Sequence, residues 1–336
     1  MKVLFAHLHP FFLTHGGSQT LIEELMRGLT GVGVEVEPER WWDDRQTGDI
    51  LHYVGRPLTA NVRLAHKKGF KTVLTDLLDT TANRSPRKLM VQRIATKIIR
   101  RLAPGMIDRV GWEVYQEIDA MVFPVSHEFE VAKYLFDAAP DRGHIIPWGM
   151  PAKSLTTLAQ PQPEQNYLLS IATIAPRKNS IALARAARAA QVPVVFIGKP
   201  YSEQDTYFRE FMSLVDNQCV RYAGFVSETE KQNLLRGARG FVLFSQAESG
   251  CIAAYEAAAA GLPLLLSDAP WARFGYPGAD PIRFVPLGSH DAAVSALRAF
   301  YSTAHRMNRT TFPLLTWEQV GQKYVAIYER LLARRA

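Results

Sequence analysis

The stretch Gly240–Asp268, "GFVLFSQAESGCIAAYEAAAAGLPLLLSD", decides the architecture. "GFVLFS" is a short apolar run of strand length, and "CIAAYEAAAA" is dominated by alanine, the strongest helix former. Gly261 ends the helix and Pro263 opens the next apolar run, "LPLLLSD". Strand, loop, helix and strand in so short a span make one unit of a parallel α/β sheet. In such sheets ligands lie beyond the carboxyl ends of the strands, against helix N-termini that offer free N–H groups and partial positive charge. The loop "QAESG" holds that place. It aims the N–H groups of Gly250, Cys251 and Ile252 at a bound phosphate, with Glu248 beside it and Glu256 one turn down the helix. A carboxylate repels phosphate, so its use there is to accept hydrogen bonds from hydroxyls attached to it. A ribose supplies such hydroxyls to Glu256, and the other moiety of a sugar nucleotide supplies them to Glu248. Two glutamates eight residues apart are equally compatible with a solvated helix residue and a loop charge.

The same rhythm runs outward in both directions. "KVLFAHL" precedes a helix from Ser18 to Leu29, "GDILHYV" one from Leu58 to Lys68, and "KTVLTDLL" a long basic helix. "AMVFPVS", a helix from Glu128 to Phe136 and "GHIIPWG" close this first series. The proline-bearing, aperiodic run "AKSLTTLAQPQPEQ", Ala152–Gln165, is expected to be an interdomain linker. Alternation then restarts with "YLLSIAT" and continues through helices Ser180–Ala190, Gln204–Val215, Glu228–Gly237 and Ile252–Ala260 to "LPLLLSD" and "RFVPLG". The expected fold is therefore α/β, with two Rossmann-like, doubly wound domains facing each other across a cleft. The first spans residues 1–155 and the second 156–316. Residues 317–336 form an amphipathic helix with Val320, Tyr324, Ile327, Tyr328 and Leu331 on one stripe, expected to cross back onto the first domain.

Composition is consistent with this. At about 150 residues per domain, 336 residues suggest two domains. Two cysteines, Cys219 and Cys251, provide neither a disulfide framework nor metal-ligand spacing, and this fits a reducing compartment. "MKVLFAHLHP" reads as a first strand and not as a signal peptide or membrane span, so a cytoplasmic location is expected. The net charge of +7 favours an anionic partner: nucleic acid, a phospholipid surface or a phosphorylated small molecule.

Residues 224–268, "GFVSETEKQNLLRGARGFVLFSQAESGCIAAYEAAAAGLPLLLSD", resemble the donor-binding segment of the family 4 glycosyltransferases (group 1), which have the GT-B fold. "HGGSQTLIEELMRGLTGVGVEV", "DAMVFPVSHEFEVAKYL", "HIIPWGM", "APRKNSIALARAARAA" and "TWEQVGQKYVAIYERLL" resemble further segments of that family in order, so the likeness covers nearly the whole chain. It implies a retaining, metal-independent transferase. Such an enzyme moves a sugar from a nucleotide-diphosphate donor, such as a UDP- or GDP-sugar, to a glycan or lipid-linked acceptor, with no cofactor. Glu256 would bind the ribose, Glu248 the hydroxyls of the transferred sugar, and Arg177 and Lys178 the diphosphate leaving group. Phe225 and Val226, after "RYAG", would touch the base through backbone atoms. Gly16 and Gly17, before the first helix, would let the donor phosphate or the acceptor approach the backbone. The chain departs from the family at Thr173, where an arginine is usual, and at Gly250 and Cys251, where an aromatic residue and a glycine are usual. Asp76 and Asp79 stand where a histidine is common. Asp76 is expected either to contact sugar or acceptor hydroxyls or to cap the next segment.

Other residues carry less. His7, His9 and His15 lack ligand spacing, so no metal is expected, and His127 at a strand end has no sequence-adjacent partner as a base. The segment "RSPRKLMVQRIATKIIRRL" contains no acid. Arg87, Lys88, Arg93, Lys97, Arg100 and Arg101 are expected to form a basic surface toward an anionic membrane or the acceptor, and a core helix with a solvated basic face is the alternative. The competing functions are a catalytically silent homologue acting as a partner subunit and a sugar-nucleotide epimerase. A phosphorylase needs a longer chain, and a nucleic-acid binder would show an aromatic-interleaved platform that is missing here.

Overall fold

The computed structural model describes residues 1–7, 17–102, 105, 111–276, 280–310 and 312–333; for residues 17 and 18 it describes the backbone. The chain divides into two compact units, Met1–Gly149 with Leu315–Ala336, and Met150–Leu314.

In chain order the first unit contains β1 (Lys2–His7), α1 (Gly17–Gly31), β2 (Glu35–Pro38), β3 (Ile50–Val54), α2 (Thr59–Lys67), β4 (Lys71–Thr75), α3 (Asp79–Ala82) and α4 (Pro86–Leu102). After these come α5 (Val114–Glu117), β5 (Ala120–Phe123), α6 (Ser126–Phe136) and β6 (Gly143–Ile145). The sheet is wholly parallel in the order β2-β1-β3-β4-β5-β6. Its inner strands are buried almost along their length because helices cover both faces. All five residues of β3 and all four of β5 are buried, whereas the edge strand β2 is not. Leu51, Leu74, Met121 and Phe123 pack against Val131, Leu135 and Phe136 of α6 to form the core.

After the short strand β7 (Gly149–Met150), the second unit runs α7 (Ala152–Leu158), β8 (Leu168–Ile171), α8 (Ser180–Ala190), β9 (Val194–Ile197), α9 (Thr206–Ser213), β10 (Val220–Gly224) and α10 (Glu228–Gly237). It continues with β11 (Gly240–Leu243), α11 (Ile252–Ala259), β12 (Leu264–Ser267), α12 (Pro270–Gly275), β13 (Ile282–Val285) and α13 (His290–Ala304). Its sheet is also parallel, in the order β10-β9-β8-β11-β12-β13, which is the strand order of dinucleotide-binding domains. Leu168, Phe196, Val242 and Leu265 face Leu183, Ala187, Leu297 and Phe300 of the flanking helices in its core.

The chain then returns to the first unit with β14 (Leu315–Thr316) and α14 (Trp317–Ala333). The expected stripe is buried there: Val320, Tyr324, Ile327, Tyr328 and Leu331 are each at most 5% exposed. α14 packs on α1 at contact distance because both helices offer glycine at the crossing. A Cβ on Gly28 would lie 2.4 Å from the Trp317 carbonyl oxygen, and one on Gly321 would lie 2.9 Å from that of Gly28. A buried polar chain fixes the register of the helix. His52 Nδ1 meets the Tyr328 hydroxyl at 2.7 Å, His52 Nε2 meets Thr75 Oγ1 at 2.7 Å, and Thr75 meets the Tyr324 hydroxyl at 2.9 Å. Burial drives the His52 pKa down to about 3, so the ring is neutral.

Two expectations are corrected. The stretch expected to be a linker begins with α7, which buries Ser154 and Leu158 and packs against α10 and α11. Two buried positions one turn apart are too few to show as periodicity. The units also meet in sequence at Gly149–Met150 and Leu314–Leu315, ahead of the boundaries expected at 155 and 316. Among the described residues no helix is long and apolar enough to cross a membrane.

Candidate active site in the second unit

In the second sheet the strand order reverses between β8 and β11, because β9 and β10 lie to one side and β12 and β13 to the other. The loops leaving the carboxyl ends of two such neighbouring strands part to opposite faces and leave a crevice between them. Here those loops carry the predicted residues: Arg177 and Lys178 follow β8, and Glu248 follows β11.

The two loops are joined. Pro176–Lys178 form a single 3-10 turn, closed by Asn179 in the left-handed conformation at φ 57°. The Gln246 amide donates to the Arg177 carbonyl oxygen at 2.9 Å, and the Arg177 guanidinium donates to the Ala247 carbonyl oxygen at 2.6 Å. Lys178 Nζ lies 2.5 Å from Glu248 Oε1, and Arg177 Nη1 lies 3.6 Å from Glu248 Oε2. Glu248 is thus a buried carboxylate between two cations, 7% exposed. The three charges form one cluster with a net charge of +1. Behind it the Ser245 carbonyl oxygen accepts from Ser267 Oγ at 2.5 Å and from the Trp271 indole at 3.0 Å, and these bonds hold the base of the loop.

Gly250 adopts φ 67°, a left-handed conformation in which a side chain is strained, and this accounts for a glycine where the family's aromatic would be. Cys251 is the N-cap of α11 and contributes no side-chain cap. Its thiol is buried and pushed up to about 12, mainly by desolvation and secondarily by Glu248, so it is a neutral packing group and not a nucleophile. Glu256, one turn into α11, is not left alone. Lys231 Nζ of α10 lies 2.5 Å from Glu256 Oε1 and 2.8 Å from Glu228. Burial raises the Glu256 carboxyl above its ordinary range while Lys231 pulls it back. Nothing in the sequence ties a lysine to a glutamate 25 residues away.

Phe225 and Val226 leave the end of β10. The Phe225 ring is 78% exposed, with Lys199 Nζ 5.3 Å from its centre. A solvent-facing aromatic flanked by a cation is a stacking surface, so the side chain as well as the backbone is available to a base. Lys199, like Lys231, was missed in the sequence.

In the first unit the strand order reverses between β1 and β3. Gly17 is the first residue of α1, while Gly16, His9 and His15 lie outside the described residues. Asp76, directly after β4, is 3% exposed. Its carboxylate accepts from the Tyr115 hydroxyl and, at 2.9 Å, from the Leu77 amide, with the Arg56 guanidinium 3.6 Å away. Arg56 in turn stacks on Tyr115 and Phe136. Both oxygens are hydrogen-bonded within the first unit, and Asp76 does not cap α3, whose N-cap is Leu78 with no side-chain bond. Asp79 opens α3, and its amide donates to Glu128 at 3.0 Å. His127 Nε2 lies 3.0 Å from the Ala82 carbonyl oxygen. Among the described residues no group of three His, Cys, Asp or Glu side chains forms a ligand set for a metal.

On the α4 helix, Arg87, Lys88, Lys97 and Arg101 are exposed, as expected. Arg93 and Arg100 are not part of that surface. The Arg93 guanidinium lies 4.3 Å from the Tyr134 ring centre, and Arg100 is bound to Glu113 at 2.7 Å and Asp137 at 2.6 Å, because their positions on the helix face α6 and its surroundings.

The two Rossmann-like parallel sheets give the chain the GT-B fold. Residues 159–273, within the second unit, match the family model of glycosyl transferases group 1. Solved structures similar to the chain include sucrose-phosphate synthase (tll1590) from Thermosynechococcus elongatus, at 15% identity and TM-score 0.68 over 99% of this chain and 100% of that one. Anabaena Alr3699/HepE in complex with UDP and glucose is similar at 14% identity and TM-score 0.60, over 98% and 99% of the two chains. The lipopolysaccharide outer core galactosyltransferase WaaB in its apo form is similar at 14% identity and TM-score 0.61, over 98% and 100%. No curated protein matches the chain by sequence.

Proposed function

We propose that the protein transfers a sugar, with retention of anomeric configuration, from a nucleoside-diphosphate sugar to a hydroxyl of a glycan or lipid-linked acceptor in the cytoplasm. The observation that carries this reading is the cluster Arg177, Lys178 and Glu248 at the strand-order reversal of the β8–β11 sheet, with Glu256 and Lys231 beside it on α11 and α10. The bond from the sugar C1 to the β-phosphate oxygen breaks, and a bond from the acceptor oxygen to C1 forms on the same face. The acceptor proton passes to the departing phosphate, so no side-chain base is required. Negative charge grows on the β-phosphate as the sugar becomes oxocarbenium-like, and pre-placed cations stabilise that charge more in the transition state than in the ground state. Arg177 and Lys178 supply them, and for this reason the reading is metal-independent. Glu248 keeps both cations in position before donor binds and then accepts hydrogen bonds from the sugar hydroxyls. Glu256 accepts from the ribose hydroxyls, and Phe225 offers its ring to the base.

The test is release of nucleoside diphosphate from a panel of UDP- and GDP-sugars. Lys178→Ala and Glu256→Ala should each lower kcat/KM by about 10², on the order of 3 kcal/mol. Near-normal turnover in both variants would refute the site assignment. Absence of release with every donor, together with retained nucleotide binding, would favour a silent partner subunit.

A further inference from the structure

Helix α4 carries its apolar residues on the outside. Met90, Val91, Ile94, Ile98 and Leu102 are between 51% and 76% exposed, and Thr96 is the one residue of the helix that is buried. Its inner side is instead made by Leu89, which packs on the core, by Arg93 over Tyr134, and by Arg100 in its two ion pairs. At roughly 100° per residue the five exposed apolar residues fall within one arc of about 120°. Lys97 and Arg101 overlap one border of this arc, Lys88 lies beyond the other, and Arg87 stands in its first turn. Arg84, Arg87, Lys88, Val91 and Gln92 line an open hollow of about 520 Å³ at the start of the helix. No aspartate or glutamate occurs between Pro86 and Leu102.

A contiguous exposed apolar stripe of this size marks a contact surface. Its charge selects the occupant. A second copy of the same face would bring like cations together, and nucleic acid would make no use of the apolar centre. Apolar side chains within a cationic rim match the boundary between acyl chains and anionic headgroups, where lysine and arginine stems extend toward phosphate while the apolar residues enter the hydrocarbon. We propose that the outer face of α4 docks the protein on an anionic phospholipid bilayer, with Met90, Val91, Ile94, Ile98 and Leu102 inserted and Arg84, Arg87, Lys88, Lys97 and Arg101 on the headgroups. This surface is independent of the donor site, so the sedimentation test below and the donor-release test fail separately.

The experiment is co-sedimentation of the full chain at low salt with vesicles of phosphatidylcholine alone and of phosphatidylcholine mixed with phosphatidylglycerol. Binding to the mixed vesicles alone is expected, weakening as salt is added. Ile94→Asp with Ile98→Asp should abolish it. Lys97→Gln with Arg101→Gln should lower partitioning about fivefold per cation lost. These side chains are exposed, so melting temperatures should stay at the wild-type value. Should the aspartate variant unfold, the glutamine variant decides alone. Equal binding to neutral vesicles, or wild-type binding by the glutamine variant, overturns the proposal. A dimer in light scattering that Ile94→Asp dissolves would show that a second copy covers the face, and it would overturn the proposal equally.

Discussion

Glu256 and Lys231 show how one contact alters the reading of a residue. A carboxylate buried in an alanine-rich helix would tend to take up a proton, and a neutral acid is a poor acceptor for ribose hydroxyls. Burial raises the Glu256 carboxyl, and Lys231 opposes that rise from α10 by charge and hydrogen bond. Replacing Lys231 by Met removes the opposing charge. The acid limb of the pH profile of donor KM should then move to higher pH, since the Glu256 carboxyl rises further. Lys231→Arg should restore the wild-type limb, and a loss of binding equal at every pH would instead indicate a merely structural lysine. The sequence made Glu248 and Glu256 visible because a strand-loop-helix unit fixes where they stand. It left Lys231 and Lys199 unseen because their partners lie in other elements. Asp76 was visible too, but its commitment to Tyr115 and Arg56 depends on a fold contact 39 residues away and could not be read in advance.

At the scale of elements, the alternation of strands and helices was legible almost throughout, since parallel strands covered on both faces must be apolar along their length. Strand order was not, because each sheet's reversal depends on crossovers that leave no local mark. α14 lies between these cases: its stripe could be read, whereas the hydrogen-bonded chain through His52 could not. That chain gives α14 a pH-dependent anchor. The folded-state pKa of His52 is depressed to about 3, below the unfolded value of 6.5, so the neutral ring contributes its full stability above pH 6.5. The contribution falls by about 1.4 kcal/mol per pH unit below that, down to the folded-state pKa. Thermal melting followed from pH 7 to 4 should show this loss. His52→Phe should flatten it while lowering stability at pH 7 by about 1–3 kcal/mol, because the Tyr328 hydroxyl is left buried without its partner. An unchanged acid slope in the variant would remove His52 from the account.

For the whole molecule, the two units differ in how they are built from the chain. The second is one continuous stretch, Met150–Leu314, and it contains Arg177, Lys178, Lys231, Glu248 and Glu256. Expressed alone, residues 150–314 should fold cooperatively and bind the nucleoside diphosphate by calorimetry. Residues 1–149 alone should not reach a stable fold, since α1 would expose the face that α14 covers. A soluble, cooperatively melting 1–149 fragment would contradict that account of α14.

The return of α14 to the first unit also sets an order of events during synthesis. The sheet that begins at β1 is translated first but lacks its last helix until residues 315–333 have left the ribosome, well after Met150–Leu314 can form. The second unit is therefore ready before the unit whose strands precede it in the sequence. Until residues 315–333 emerge, the apolar face of α1 and the His52 Nδ1 that Tyr328 will meet are what chaperones and proteases can sample.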